Sequence, residues 1–298
     1  MPFARRPSSR HGLSVPTEWW PSRPLLNEIE AAGFVWVQLP APPATVLVEP
    51  RTCIRHARAA GQSMTAGGMS SVLHGPADAV AGEREADRAI EGAIAYAAEC
   101  GAHAVVLHAR SLLEGPGAGD RMLAETRSLA RLARVAERVG VTLALENLAP
   151  VFPGPETVSA NPLALRTLAR RIGSPAVGLC LDVGHANVVA GLRRTSLSRM
   201  VEPVLDMVAL LHLHDNLGAR WIRTERPDLD PVRLDLHLPP GRGTLRWSEV
   251  APSLLATGAP MIWEIHPPRP EPIELMRAAR AAMGGERGVA SRERALAS

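Results

Sequence analysis

The chain has 298 residues, of which 46% are hydrophobic and 21% are charged, and its formal net charge is +3. This length fits one α/β barrel of about 250 residues, and so small a charge argues against a polyanionic partner. All 33 basic residues are arginine, which excludes a Schiff base or a lysine general base.

The sequence shows no signs of membrane insertion or export. No apolar run approaches the roughly 18 residues that span a bilayer, and residues 1–12 lack the apolar stretch of a signal peptide. The three cysteines, Cys53, Cys100 and Cys180, are far apart and odd in number, as is typical of reduced thiols. We therefore expect a cytoplasmic protein with no membrane partner, and a homo-oligomer stays open.

Short apolar strands alternate with helical segments along the whole chain. The predicted strands are 12–15, 34–39, 63–66, 104–107, 141–145, 177–181, 208–213 and 261–263. The predicted helices are 25–32, 51–60, 83–100, 122–139, 162–172, 197–207, 247–256 and 273–283.

This alternation, without a domain-scale linker, predicts a single (β/α)8 TIM barrel over residues 11–283. Residues 1–10 are expected to form a loose N-terminal arm, and residues 284–298 a disordered tail. The alternative is a doubly wound sheet, but no glycine-rich phosphate motif follows the first strand.

Metal-competent side chains stand repeatedly at strand ends, where the chemistry of this fold is located. In chain order they are His74, His108, Glu146, Asp182, His185, His212, Asp235, His237 and Glu264. A single histidine of this kind is more often structural, and Asp182 alone could be a local cap. Converging buried carboxylates, however, require a cation. Oxygen and imidazole ligands without thiolate favour Mn, Co, Zn, Mg or Fe(II).

Five motifs taken together resemble those of the xylose-isomerase-like TIM-barrel superfamily. They are ENLAP, CLDVGHAN, HLHDN, DLHLPPGRGTLRW and IWEIH. The superfamily contains the sugar phosphate isomerases and epimerases and also the endonuclease IV family. The resemblance covers residues 12–280 and leaves the reaction open between these branches.

In the isomerase and epimerase branch, the resemblance implies one divalent metal held by Glu146, Asp182, His212 and Glu264. The metal would polarise a small polyhydroxylated α-hydroxy carbonyl compound and stabilise its enediolate. Glu146 and Glu264 would move the proton, and His185 would contact a substrate hydroxyl. A dehydratase or lyase acting on a related sugar or cyclitol would share this chemistry.

In the endonuclease IV branch, the resemblance implies three metals that activate water and clamp a phosphodiester. The nine strand-end residues named above are counterparts of its nine ligands, so the count stays open between one metal and three. The loop 217–234 argues against a nucleic-acid partner, because Arg220, Arg223, Arg226 and Arg233 face Glu225, Asp228 and Asp230. No strand-end loop interleaves aromatic and basic residues, and DVGHAN and HDN are closer to the isomerase-like members. The leading prediction is therefore an isomerase or epimerase with a carbohydrate-like substrate.

Four further residues are predicted to bind the substrate. His214 would point the same way as His212 on a strand; we take His212 as the ligand, with the reverse assignment as the alternative. Asn147 lies within the ENLAP motif, and Trp36 could wall a sugar pocket. Arg242, between two glycines, could reach a phosphate or carboxylate. The alternatives are core packing for Trp36 and an exposed turn for Arg242.

Overall fold

The computed structural model describes residues 10–15, 21–111, 115–150, 155–219 and 234–284. Eight parallel strands form a closed barrel in the order β1 to β8, with β8 paired to β1. Helices of the described residues surround the barrel. The predicted (β/α)8 fold is therefore confirmed.

The strands are β1 His11–Ser14, β2 Trp36–Pro40, β3 Ser70–His74, β4 Ala104–His108, β5 Thr142–Glu146, β6 Val177–Asp182, β7 Val208–Leu213 and β8 Met261–Trp263. The α-helices are α1 Arg23–Ala31, α2 Ala44–Leu47, α3 Pro50–Ala66, α4 Arg84–Cys100, α5 Ala118–Val139, α6 Pro162–Ile172, α7 Val183–Leu192, α8 Leu197–Val201, α9 Trp247–Ala256 and α10 Pro272–Ala282. Two 3-10 turns occupy Val158–Ala160 and Glu202–Met207.

The largest difference from the prediction lies in the third unit. Helix α3 continues to Ala66, so the predicted strand 63–66 is wrong and the strand is β3, Ser70–His74. The predicted helix ended at residue 60, but α3 continues through Gly61. This glycine lies where α3 packs against α4. A Cβ atom there would stand 2.9 Å from the carbonyl oxygen of Cys100, so this glycine allows close packing.

Helix α7 was also missing from the prediction. It follows β6 without a loop, and the side chain of Asp182 caps it by accepting the His185 backbone N–H at 2.7 Å. Both faces of α7 are buried, so its sequence lacks the amphipathic period that marks a surface helix.

Alternate residues of the strands fill the barrel interior in two layers. The lower layer is an apolar cluster of Trp36, Val72, Ala104, Val106, Ala144, Cys180, Leu210 and Ile262. Two residues further along these strands, side chains point the same way, and the upper layer is polar. Its members are Gln38, His74, His108, Glu146, Asp182, His212 and Glu264. The barrel therefore has an apolar floor beneath a polar, ionisable roof.

Some predictions fall outside the described residues. Residues 1–9 of the predicted arm, residues 285–298 of the predicted tail and residues 220–233 of the long loop lie there. Among the helices that the structure describes, none combines the length and apolar character needed to cross a membrane.

His11 should make the stability of the fold depend on pH. Its Nδ1 accepts a hydrogen bond from the Trp263 indole at 3.1 Å. Burial, assisted by the charge of Arg280, lowers the His11 pKa from 6.5 to about 4. The unfolded chain therefore takes up this proton first, and the folded state loses stability as pH falls from about 6.5 to about 4.

We expect His11→Gln to flatten this part of the pH profile of the free energy of unfolding, measured by urea titration. Parallel profiles for the two proteins would contradict the expectation.

Candidate metal centre

The predicted ligands come together at the carboxyl ends of the strands. Within the described residues, ligand atoms no more than 4.8 Å apart form adjoining groups. The central group is Glu146, Asp182, His212 and Glu264. The flanking group is His74, His108 and Glu146, and the outer group is His185, His214, Asp235 and His237. Glu146 is shared by the central and flanking groups.

In the central group, three carboxylates surround one imidazole. His212 Nδ1 lies 3.0 Å from Glu146 Oε1, 3.4 Å from Glu264 Oε2 and 3.9 Å from Asp182 Oδ2. Burial alone lowers the pKa of His212, but the charges of Glu264 and Glu146 outweigh it and raise the pKa to about 9. So dense a set of carboxylates therefore draws positive charge to this point.

Gln38 of β2 is a residue of this centre that sequence reasoning missed. Its amide oxygen lies 2.7 Å from His212 Nε2, and its amide nitrogen donates to Glu264 Oε1. An amide oxygen only accepts, so Nε2 of His212 carries a proton, and Nδ1 is the ring nitrogen that faces the carboxylates. A buried polar residue two positions after Trp36, in the apolar strand VWVQL, was the available signal.

In the flanking group, two imidazoles face one carboxylate oxygen of Glu146. His74 Nε2 and His108 Nε2 lie 3.5 Å and 3.3 Å from Glu146 Oε2. Their Nδ1 atoms donate to the carbonyls of Gly75 and Ala77. Burial alone would raise the Glu146 pKa, but the charge of His212 and the close imidazoles of His108 and His74 hold it well below its usual range.

The outer group contains three imidazoles around Asp235. The Nε2 atoms of His185 and His237 lie 3.4 Å and 3.0 Å from its carboxylate. The rings of His214 and His237 stack with centroids 3.8 Å apart. His237 has a φ of 47°, a left-handed conformation that costs about 1 kcal/mol outside glycine. The surrounding contacts therefore hold His237 in a strained conformation.

Asp215 explains how the distant Asp235 and His237 reach this centre. Its backbone forms an antiparallel bridge with Leu238, and its carboxylate accepts the N–H groups of Gly241 and Leu245. A Cβ atom on Gly243 would overlap the Asp215 carboxylate. The HDN and PPGRG motifs therefore have a structural role: they hold residues 235–245 against the end of β7.

Asn147 is a clamp between two strand ends. Its amide donates to the Asp182 carbonyl at 2.8 Å and accepts the Asp182 N–H at 2.9 Å. Its own main-chain carbonyl accepts a hydrogen bond from His185 Nδ1 at 2.8 Å. Both ends of the buried amide are therefore bound to the main chain of β6, which argues against its predicted contact with substrate.

None of the four predicted substrate contacts lines the cleft above the centre. His214 is fully buried beneath it, as is Asn147. Trp36 begins β2 at the opposite end of the barrel and packs edge-on against His103. Arg242 lies on an exposed turn. These positions argue against the predicted substrate contacts. Trp36 fits the alternative of core packing, and Arg242 fits the alternative of an exposed turn.

The cleft has a volume of about 680 Å³. The three predicted catalytic residues, Glu146, Glu264 and His185, all line it. Two further residues of its wall, His266 and Arg269, were not singled out by the sequence, because no strand-end pattern marks the loop after Ile265.

The buried donors fit divalent cations. Glu146 Oε2, Asp182 Oδ2 and His214 Nε2 are buried without a hydrogen-bond partner, an arrangement that is costly unless a cation satisfies the atoms. The central group is rich in carboxylate oxygen, which suits hard or borderline ions, and the outer group is rich in imidazole, which suits zinc.

A closed parallel barrel with carboxylates and imidazoles at its strand ends defines the class of TIM-barrel proteins with a metal-competent centre. The sequence profile of the family described as xylose isomerase-like TIM barrel matches residues 26–283. The chain belongs to this family, which confirms the resemblance seen in its motifs. No curated protein sequence shows significant similarity to the chain.

Several solved structures share the fold. A D-tagatose 3-epimerase-like protein is 20% identical with a TM-score of 0.69, over 93% of this chain and 97% of that one. A 3-keto-D-glucoside 4-epimerase from E. coli is 17% identical with a TM-score of 0.65, over 92% and 98%. A Thermus thermophilus protein soaked with ZnCl2 is 23% identical with a TM-score of 0.64, over 93% and 99%.

Removing the Asn147 clamp should destabilise the protein. Asn147→Ala removes both side-chain hydrogen bonds to the Asp182 main chain and leaves its buried N–H without the Asn147 acceptor, and we expect a loss of about 3 kcal/mol in the free energy of unfolding. The matched control is Asn161→Ala, which removes one exposed hydrogen bond to Leu163 at the start of α6. Equal losses for the two variants in urea titrations would count against the clamp.

Metal affinity at this centre should rise with pH. Burial lowers the pKa values of His185, His212 and His237, but the facing carboxylates outweigh it and raise all three. A metal must therefore displace protons at neutral pH. We expect the apparent Zn(II) affinity to rise from about pH 6 to about pH 9. Competition with a chromophoric chelator, corrected for its own protonation, measures this; an affinity independent of pH would be inconsistent with it.

Proposed function

We propose that the protein is a divalent-metal-dependent isomerase or epimerase acting on a small polyhydroxylated α-hydroxy carbonyl compound. The observation that supports this most is the position of Glu146 and Glu264. They end β5 and follow β8, which are not neighbours in the barrel, yet both approach His212 and both line the cleft. Two carboxylates can therefore face one substrate from different sides.

The four residues of the central group would hold the metal. When bound, the ion would polarise the substrate carbonyl and stabilise enediolate charge. Glu264 has 13% of its side chain exposed against 2% for Glu146, so Glu264 is the more open to a substrate C–H. The low pKa of Glu146, set by its imidazole neighbours against the effect of burial, keeps it an ionised proton acceptor.

Other residues of the cleft would orient the substrate. Gln38 fixes the Glu264 carboxylate by donating to it, which keeps this oxygen in place for proton transfer. His185 stands at the cleft wall, where it can contact a substrate hydroxyl. The many polar groups of the wall suit a carbohydrate-like ligand. All three cysteines are unpaired, in keeping with a proposed cytoplasmic location.

A second candidate is a trinuclear phosphoesterase of the endonuclease IV kind. The specific observation in its favour is that the flanking and outer groups adjoin the central group, so that three ions could lie side by side. Such an arrangement can activate water and clamp a phosphodiester.

The exchange of a substrate C–H proton with solvent tests the proposal. Metal-loaded protein is incubated in D2O with ketoses, inososes and sugar phosphates, and deuterium incorporation is followed by NMR. We expect exchange with at least one compound, and a loss of roughly 100-fold in Glu146→Gln and in Glu264→Gln. The control is Glu249→Gln, an exposed acid of α9 paired with Arg246, which should keep the rate.

The proposal fails if no compound of the panel exchanges. Hydrolysis of a synthetic phosphodiester by the same metal-loaded protein, abolished in Glu146→Gln but retained in Glu249→Gln, would favour the second candidate instead.

A further inference from the structure

We infer that His214 is a metal ligand that completes, with His185, Asp235 and His237, a closed four-ligand cation site beside the central group. The endonuclease IV resemblance implies His185, Asp235 and His237 as ligands, and the new ligand is His214, which lies outside the central group of the proposed isomerase. In this arrangement both ring nitrogens of His185 are occupied, so His185 binds the ion instead of a substrate hydroxyl. The arrangement also changes the role predicted for His214 from substrate contact to ligand.

The first argument is the environment of the His214 ring. The residue is fully buried, and its Nε2 has no hydrogen-bond partner. This atom nevertheless lies 3.1 Å from Asp182 Oδ1 and 3.7 Å from Asp235 Oδ1. A lone pair held against two carboxylates is repelled unless a cation lies between them, which is either a proton on Nε2 or a metal ion shared with the carboxylates.

The second argument is the way the three imidazoles are anchored. The Nδ1 atoms of His185, His214 and His237 lie 2.8 Å, 3.4 Å and 3.0 Å from main-chain carbonyl oxygens. A carbonyl oxygen only accepts, so the proton of each neutral ring is on Nδ1 and the Nε2 lone pair is left for a ligand. Metal-binding histidines are oriented in this manner.

The third argument is the spacing of the donor atoms. Four ligands about 2.1 Å from a tetrahedral zinc ion lie about 3.4 Å from one another. From the Asp235 carboxylate, the Nε2 atoms of His237, His185 and His214 lie 3.0 Å, 3.4 Å and 3.7 Å away. These separations bracket the tetrahedral value, so an ion can be accepted with small side-chain movements.

The chain also reserves space for the His214 ring. A Cβ atom on Gly184, in the first turn of α7, would overlap this ring. Gly184, the glycine of the DVGHAN motif, thus lets the His214 ring lie directly against α7.

The outer site differs from the central one, which also has four protein ligands, because three of its four donors are imidazole nitrogens. Catalytic zinc sites keep three protein ligands and an open position for water, whereas structural sites are closed by four. An ion here would fasten the returning segment 234–237 to α7 and to the end of β7 instead of activating water. Its three nitrogen donors would select zinc or cobalt over magnesium.

Cobalt spectroscopy tests the inference on the full-length protein. Metal is removed with a chelator, Co(II) is titrated in, and the visible absorption is recorded. Tetrahedral Co(II) absorbs strongly, whereas Co(II) in the oxygen-rich central group, with substrate positions open, should absorb weakly. We expect a strong band that saturates at about one equivalent per chain.

His214→Asn should lose most of this band and bind Zn(II) at the outer site at least about tenfold more weakly in chelator competition. The matched control is His266→Asn. This exposed ring stacks on His237 at 4.0 Å but belongs to no ligand group of the described residues, so band and affinity should be kept.

Glu264→Gln, which impairs the central group, should retain the strong band. The inference is overturned if wild-type protein lacks the band, if folded His214→Asn keeps it, or if Glu264→Gln abolishes it. Even if His214→Asn fails to fold, the absence of the band from wild-type protein or from Glu264→Gln overturns the inference. Absorption and metal affinity do not depend on turnover. A negative result in the deuterium-exchange test of the isomerase proposal therefore does not affect this inference, and the reverse also holds.

Discussion

The centre depends on hydrogen bonds from imidazole N–H groups to oxygen atoms that cannot donate. Main-chain carbonyls bind Nδ1 of His74 and His108 in the flanking group and of all three outer histidines. The Gln38 amide oxygen binds Nε2 of His212. Each contact leaves the other ring nitrogen facing carboxylates, so the fold sets both tautomer and direction before any ligand arrives. The concentrated negative charge is then balanced by protons or by metal ions.

The motifs around the centre divide into ligands and scaffold. In DVGHAN, Asp182 and His185 are ligand candidates, whereas Gly184 makes room for a neighbouring ring. In HLHDN and PPGRG, the aspartate and the glycines shape the loop that returns Asp235 and His237 to the barrel. Residues that touch no ligand are therefore as necessary to the geometry as those that do, because they place the ligands.

The fold and most of the ligand candidates could be predicted because both follow from local sequence patterns. Apolar strands alternating with helices indicate the barrel, and polar residues that close those strands mark its carboxyl end. The sequence does not show whether the Asn147 amide binds the main chain or a substrate, because an amide side chain can do either. The structure shows that it binds the main chain of Asp182. The sequence also predicted a helix that ends at residue 60, whereas α3 continues through Gly61, whose packing partner α4 is distant in the sequence. Trp36 was considered for a sugar pocket because of its side chain, although it begins β2 and therefore lies at the end of the barrel opposite the cleft.

The apolar floor of the barrel determines the order in which metal and substrate would bind. The layer containing Val106, Ala144, Cys180 and Leu210 closes the lumen directly beneath the ionisable roof, and a dry hydrocarbon layer is a poor path for an ion. Within the part of the chain that the structure describes, metal ions and the proposed substrate would thus enter by the same route, the cleft. Metal would have to enter first, and a bound substrate would then slow its escape, so that occupancy by the organic ligand protects the enzyme against chelators.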